Sequence, residues 1–231
     1  MKKRLYNLLL RLLLFPSPSI NLSRNETEQF ELLFERLSKA DIPKLEYDLP
    51  IPKYKFLSYL AENKQLILHG SNRPTIHTFE PRNQTLFNGK SVNAVFATKD
   101  PIWSIFYAVF RKESVYSNFR NGCISADNKH KYHFYSLTHE TFRNNPWTNG
   151  TVYILPQKTF QYVESGAIHF DEWVSQEPVT PIGKIDVEPA DFYFLSKVAS
   201  HHANESLLKS WFLYKIRMLT QRKSQNIVKS K

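Results

Sequence analysis

Residues 66–82, LILHGSNRPTIHTFEPR, begin with an apolar run that ends at His69, Gly70 and Ser71. A short apolar run followed by a polar turn is typical of a buried β-strand. A glycine at the end of a strand lets a ligand approach the backbone closely, and the His69 and Ser71 side chains beside it can form hydrogen bonds. The segment therefore predicts a strand with a candidate binding site at its end, although a lone histidine there is more often structural.

Residues 93–110, NAVFATKDPIWSIFYAVF, predict a second strand, a tight turn and a nearly buried helix. Asp100 is a good helix cap, and Pro101 suits the first helical position. Ser104 and Tyr107 are three residues apart and so share one helical face. A serine hydroxyl and an aromatic ring can together bind a flat amide, whereas Tyr107 alone is more typical of core packing.

These segments together resemble a known NAD site. His-Gly-Ser at 69–71, Phe-Ala at 96–97 and Ser-x-x-Tyr at 104–107 follow the order and approximate spacing found in the poly(ADP-ribose) polymerase-like, diphtheria-toxin-type ADP-ribosyltransferases. The resemblance covers residues 66–182. It implies an α+β fold with split antiparallel β-sheets around an NAD cleft and with flanking helices.

The resemblance also implies roles for the matching residues. His69 would contact the adenosine-side ribose of NAD, and the Gly70 backbone would pair with the nicotinamide carboxamide. Ser104 would bind the same carboxamide, and Tyr107 would stack on the nicotinamide ring. The site would thus use NAD as a co-substrate.

The chain departs from the family pattern at two places. Val95 stands where the family usually has a second stacking tyrosine, with Phe96 adjacent as the aromatic candidate, and the turn 98–101 is about one residue longer. One side of the ring-binding site is therefore not matched by the motif.

The family's third signature is a glutamate on a later strand. Residues 170–181, FDEWVSQEPVTP, offer Glu172, because Glu-Trp-Val-Ser alternates as a strand does. Glu177 is the second candidate, in a loop before Pro178. Either carboxylate alone is more typical of a solvated surface.

A carboxylate suits the expected chemistry, because breaking the bond between nicotinamide and ribose passes through an oxocarbenium-like state. The two phosphates of NAD need nearby cations. Arg73, Arg82 and Lys99 lie in the loops beside the motif strands and are the candidates.

Three functions stay open from the sequence. The first is transfer of ADP-ribose from NAD to a protein or nucleic-acid acceptor, or simple NAD hydrolysis, with release of nicotinamide. The second is a catalytically inactive NAD- or nucleic-acid-binding module of the same fold. The third is a relative of the 2'-phosphotransferases of tRNA splicing, but the arginines and histidines of their sites have no match in this sequence.

Arg111, Lys112 and Tyr116 form a basic-aromatic mixture that could contact nucleic acid, although such a mixture is more often a solvated face.

The composition favours one main folded domain. The 231 residues are 42% hydrophobic and 14% aromatic, which is enough apolar material for one substantial core. The proline-rich stretch 42–56, in which Pro43, Pro50 and Pro52 are expected to block a regular helix, suggests a boundary. We expect an N-terminal helical segment at 1–45, an ADP-ribosyltransferase-like domain at 46–200, and a C-terminal helix with a basic tail at 201–231.

The net charge of +10 favours contact with polyanions, and part of the excess lies at the two termini. The first fifteen residues, MKKRLYNLLLRLLLF, are interrupted by Arg11 and are too short to span a membrane. They predict an amphipathic or docking helix, with a membrane-surface anchor or a signal sequence as the alternatives.

The single cysteine, Cys123, cannot form an internal disulfide, so we expect a reducing, cytoplasmic environment. No Cys/Cys/His set has structural zinc spacing, and the pairs His130/His133 and His201/His202 lack helical His-x3-His spacing. We therefore expect no metal site.

Further patterns predict the remaining elements. Helices are expected at 22–39 and 204–222, strands at 65–69, 94–98, 151–155, 166–174 and 183–187, and turns at 121–122 and 127–128.

Overall fold

The structure is a computed structural model that describes residues 2–37, 44–164 and 166–229, with side chains as far as residue 220. The described residues form six α-helices: α1 (Lys2–Leu13), α2 (Arg24–Leu37), α3 (Lys53–Asn63), α4 (Pro101–Val109), α5 (His139–Arg143) and α6 (Leu207–Lys229). None of the helices within these ranges is both long and apolar enough to cross a membrane.

The strands within the described ranges form three sheets. The first contains β1 (Phe15–Pro16), β5 (Phe119–Ser125), β6 (Lys131–Thr138), β9 (His169–Phe170) and β12 (Ala199–His201). The second has the order β3 (Arg82–Thr85), β4 (Ser91–Ala97), β10 (Trp173–Ser175) and β8 (Gln161–Tyr162), and the third has the order β11 (Gly183–Val187), β7 (Gly150–Pro156) and β2 (Leu66–Ser71). All pairs are antiparallel except β12 with β6, so the predicted α+β class with antiparallel sheets is confirmed.

Most predicted elements are present at the expected places. They include the strands β2, β4, β7 and β11, the buried helix α4 and the terminal helices α1, α2 and α6. The turn at 127–128 is also present, with Asn128 at φ 64°. The predicted helix residues 38–39, Pro43 at the domain boundary and the side chains of the basic tail beyond residue 220 lie outside the described residues.

Three expectations were wrong. The segment 166–174 is not one strand but two, because β9 pairs with β5 whereas β10 pairs with β4. Asn121 and Gly122 are not a turn but lie within β5. The prolines at 50 and 52 do not exclude a helix, since α3 begins directly after its cap Pro52 and buries Phe56, Leu57 and Leu60.

The β2–β7–β11 sheet is covered on both faces. Leu68 and Ile154 point to a core shared with α2, α3 and α4, while Ile67 and Leu155 belong to a second core on the other face. This alternation follows from the two-residue period of a strand. The α2 side chains Phe30, Leu33 and Leu37 pack in the first of these cores.

Helix α4 lies unusually close to this sheet because two glycines face it. A Cβ atom at Gly70 would lie 1.9 Å from the Ser104 carbonyl oxygen, and one at Gly150 would lie 1.8 Å from the Ala108 carbonyl oxygen. Real Cβ atoms do not approach so closely, so neither position tolerates a side chain at this helix–sheet distance.

The second and third sheets meet at one point and then separate. The Leu68 and Thr98 backbones exchange two hydrogen bonds of 2.9 Å, which join β2 to the end of β4. Beyond Leu68, β2 pairs with β7, whereas β4 pairs with β3 and β10. A cleft opens between the diverging strands, with α4 beside it.

Gly150→Ala tests the close helix packing. We expect a loss of unfolding free energy of about 3 kcal/mol, because the added methyl group must push α4 away from the sheet. Gly89→Asn is the control, since Gly89 has φ +84° with nothing near its Cβ position and asparagine tolerates such a backbone. Urea unfolding of both variants measures the difference, and equal midpoints would contradict the packing argument.

Candidate functional site

The cleft between β2 and β4 has an inner and an outer part. The inner part, about 590 Å³ including space open to solvent, is lined by five of the predicted residues: His69, Gly70, Phe96, Ser104 and Tyr107. Glu172, predicted from a separate segment, lines it as well. The outer part, about 1000 Å³ including space open to solvent, shares His69, Gly70, Phe96 and Tyr107 and adds Ser71, Arg73 and Arg82.

His69 is neutral and held by the backbone of the opposite strand. Its Nδ1 lies 2.6 Å from the Phe96 carbonyl oxygen, which can only accept, so Nδ1 carries the proton and Nε2 remains an acceptor. Burial lowers the pKa of His69 to about 4, with smaller contributions from the cations of Lys112 and Arg82 and against the opposing effect of the hydrogen bond to Phe96. The ring packs against Phe79 at 4.5 Å between centroids.

Ser104 and Tyr107 come from the face of α4 that borders the cleft. The buried Ser104 hydroxyl donates to the Pro101 carbonyl oxygen at 2.9 Å, which leaves its oxygen free to accept from an amide N–H. Tyr107 is half-buried, and burial raises its pKa to about 12, so the phenol is neutral. The Lys112 Nζ lies 4.9 Å from the centre of the Tyr107 ring.

Glu172 lies in the break between β9 and β10, one residue before the strand that it was expected to begin, and is half-buried at the cleft. Its Oε2 accepts the Phe87 N–H at 3.1 Å. Burial raises the pKa of Glu172 to about 7, against the opposing effect of that hydrogen bond. Glu177, the second candidate, is exposed and lines neither part of the cleft, so Glu172 is the one of the two that lies at it.

Of the remaining residues predicted for the site, some line the cleft and one lies at a different cavity. Val95, which is 3% exposed and belongs to the second core, also lines the outer part of the cleft, and the adjacent Phe96 supplies the aromatic group at the inner part. Arg73 and Arg82 are exposed at the outer part of the cleft, and Arg82 is the first residue of β3 rather than part of a loop. Lys99 was wrongly placed: its Nζ lies 4.8 Å from the Trp173 ring centre, at a different cavity.

Several lining residues were not predicted from the sequence, among them Lys112, Gln84 and Trp103. Lys112 is in both parts of the cleft, and burial lowers its pKa. Gln84 on β3 and Trp103 on α4 line the inner part. The basic-aromatic pattern around Lys112 was the only sequence signal for it, and that pattern alone suggests nucleic acid equally well.

A buried polar cluster lies at the start of α4. Ligand-type atoms of Asp100, Cys123 and His133 lie within 4.8 Å of one another, which sequence spacing does not reveal. The two His133 ring nitrogens already contact Ser17 Oγ at 2.7 Å and the Tyr135 hydroxyl at 3.0 Å. Asp100 accepts the Trp103 N–H as a helix cap, and burial raises the pKa of the Cys123 thiol. These contacts explain the cluster as an anchor of α4 on β5 and β6.

Comparison of the chain with models of known protein families found no match, and neither did comparison with curated proteins or with solved structures. The residues and geometry of the cleft are therefore the basis on which a function can be proposed.

Glu172→Gln tests the environment of this carboxylate. A pKa raised from 4.5 to about 7 means that the folded protein keeps a proton which the unfolded chain releases, so stability falls as pH rises between these values. Glutamine cannot ionise. We expect the variant to have the higher melting temperature at pH 8 and the same one as wild type near pH 4.

Glu177→Gln is the matched control, because that side chain lies in solvent. The melting temperature of Glu177→Gln at pH 8 should equal that of wild type. A Glu172→Gln variant less stable than wild type at pH 8 would contradict the burial argument.

Proposed function

We propose that this protein transfers ADP-ribose from NAD to an acceptor macromolecule and releases nicotinamide. One observation carries the proposal: the motif residues His69, Gly70, Ser104 and Tyr107 and the carboxylate of Glu172 line one cleft, although they come from three separate segments of the chain. This is the arrangement that the family resemblance requires. A protein and a nucleic acid both remain candidate acceptors.

The inner cleft suits a flat amide. The Ser104 oxygen can accept from the carboxamide N–H, and the Tyr107 and Phe96 rings offer faces for a planar ring. The neutral His69 retains Nε2 as an acceptor for a ribose hydroxyl. Arg73 and Arg82 at the outer part supply positive charge for the two phosphates.

The reaction breaks the bond between the ribose C1' and the nicotinamide nitrogen. The electron pair of that bond goes to the nitrogen, so nicotinamide leaves as a neutral molecule and positive charge develops on the ribose. The ionised Glu172 offsets that charge at the same cleft. The acceptor then forms a bond to C1' and gives its proton to a base, a role that Glu172 can also fill.

The alternative function is an NAD- or nucleic-acid-binding module without turnover. The two proposals differ at the carboxylate, because binding of NAD does not require Glu172 whereas cleavage does. The presence of Glu172 in the same cleft as His69 and Tyr107 supports the enzyme.

Nicotinamide release from NAD by the purified chain is the direct test. Glu172→Gln should reduce the rate on the order of 100-fold or more, because the transition state loses its charge partner. Glu177→Gln should retain the wild-type rate, and circular dichroism checks the fold of both. No release by wild type, even with cell extract as acceptor, would favour the binding module.

The pH profile is a second test. If ionised Glu172 is required, a pKa of about 7 makes the rate rise about 10-fold between pH 6 and pH 8 and then level off. His69, with a pKa of about 4, is neutral over this whole range and adds no step. A rate that falls as pH rises would contradict the assigned role.

Substitutions at Tyr107 separate ring stacking from hydroxyl chemistry. Tyr107→Phe keeps the aromatic face and should bind NAD as wild type does, whereas Tyr107→Leu should weaken binding about 10-fold. Isothermal titration in the Glu172→Gln background measures binding without turnover. Equal affinities of the two variants would show that the ring does not contact the ligand.

A further inference from the structure

The outer faces of the two terminal helices carry most of the exposed large apolar side chains. Among the described residues, nine of the thirteen large hydrophobic residues that are exposed lie on α1 or α6. Leu12 is 64% exposed and Phe212 is 60% exposed. Single exposed apolar residues are ordinary, but this concentration on two neighbouring helices is not.

The exposed residues form one stripe on each helix. On α1 they are Leu5, Leu8, Leu9 and Leu12, at the spacing of a single helical face. On α6 four of the five exposed residues, Leu208, Phe212, Ile216 and Leu219, also share one face, and the fifth, Leu207, is the first residue of the helix. We call these two stripes together the two-helix face.

The sides of the two helices opposite their stripes pack in the same core. The opposite side of α1 buries Leu10, and the opposite side of α6 buries Tyr214 and Met218, all in one core with residues of β5 and β6. The two helices also contact each other, since Lys215 donates to the Arg11 carbonyl oxygen. Since both helices pack in one core and contact each other, their exposed stripes are neighbours on the protein surface.

The charge of the chain is concentrated on the same helices. The α1 sequence contains four basic residues and the α6 sequence contains six, and neither contains an aspartate or glutamate. The ten positive charges of the two helices equal the formal net charge of +10 for the whole protein. One of the ten, Arg217, is paired with Glu205; Arg4 and Lys209 are among those exposed.

We propose that the two-helix face docks on an anionic lipid bilayer. A basic helix with an outward apolar face lies in the plane of such a surface, with its apolar side chains below the headgroups and its cations among them. A nucleic acid would match the charge but would leave the leucine stripes in water. A second copy would cover the stripes but would bring two strongly basic faces together without a counter-charge.

The docking is peripheral. Neither helix can cross a bilayer, and the inner sides of both helices remain packed on β5 and β6. The surface is also separate from the cleft, because none of its residues lines either part of the cleft. The proposal therefore does not depend on NAD chemistry.

Vesicle flotation of the full chain tests the proposal. We expect wild type to float with phosphatidylcholine vesicles that contain about 30% phosphatidylglycerol and to stay largely unbound with pure phosphatidylcholine. Binding to the anionic vesicles should fall as salt is raised, because salt screens surface charge.

Matched double variants locate the contact. Leu8→Ser with Phe212→Ser should weaken vesicle binding at least about 10-fold, because two large apolar side chains no longer enter the bilayer. Leu32→Ser with Phe142→Ser, at exposed apolar positions outside the two-helix face, should bind as wild type does. Arg4→Glu with Lys209→Glu should remove the preference for anionic lipid.

Three results would overturn the proposal. The first is equal binding to both kinds of vesicle. The second is full binding by the Leu8→Ser, Phe212→Ser variant. The third is a wild-type chain that does not bind vesicles and elutes as a dimer, with the serine substitutions dissociating that dimer. This result would make the two-helix face a contact between copies of the chain.

Discussion

The contact between helix α4 and the β2–β7 strands fixes the geometry of the cleft. Gly70 and Gly150 leave room for the helix backbone to rest almost directly on the strands. Ser104 and Tyr107 consequently lie beside His69, which is on the same strand as Gly70. With side chains at these two positions, the helix would lie further out and the inner part of the cleft would be wider. The packing of one buried helix therefore sets the distance between the groups proposed to bind NAD.

Local sequence predicted the parts of the site that lie on regular elements. His69 at the end of an apolar strand, and Ser104 with Tyr107 on a helix that begins at Asp100 and Pro101, follow from periodicity and capping. The break at Glu172 could not be predicted in this way. It arises because β9 pairs with β5 in one sheet, whereas β10 pairs with β4 in another. Asp171 stabilises that crossing through an ion pair of 2.7 Å with Lys131. The contact of Lys112 with Tyr107 likewise depends on tertiary packing.

Burial acts in opposite directions on the two ionisable groups of the cleft. It lowers the pKa of His69 to about 4 and raises that of Glu172 to about 7, because in each case it disfavours the charged form. The histidine is thus a neutral hydrogen-bonding group at physiological pH, whereas the glutamate can both carry charge and exchange a proton. A carboxylate kept in such surroundings costs folding stability, which is common at sites that are organised for chemistry.

The polar side chains of the cleft are held by the main chain. His69 donates to the carbonyl of residue 96, Ser104 donates to the carbonyl of residue 101, and Glu172 accepts from the amide of residue 87. A main-chain partner is present whatever the side chain at that position, with proline as the exception for the amide donor. Over evolutionary time, the loops and strands around such a cleft can change most of their residues without losing these partners. Divergence of this kind would leave only a few short motifs recognisable while the arrangement of reactive groups persists.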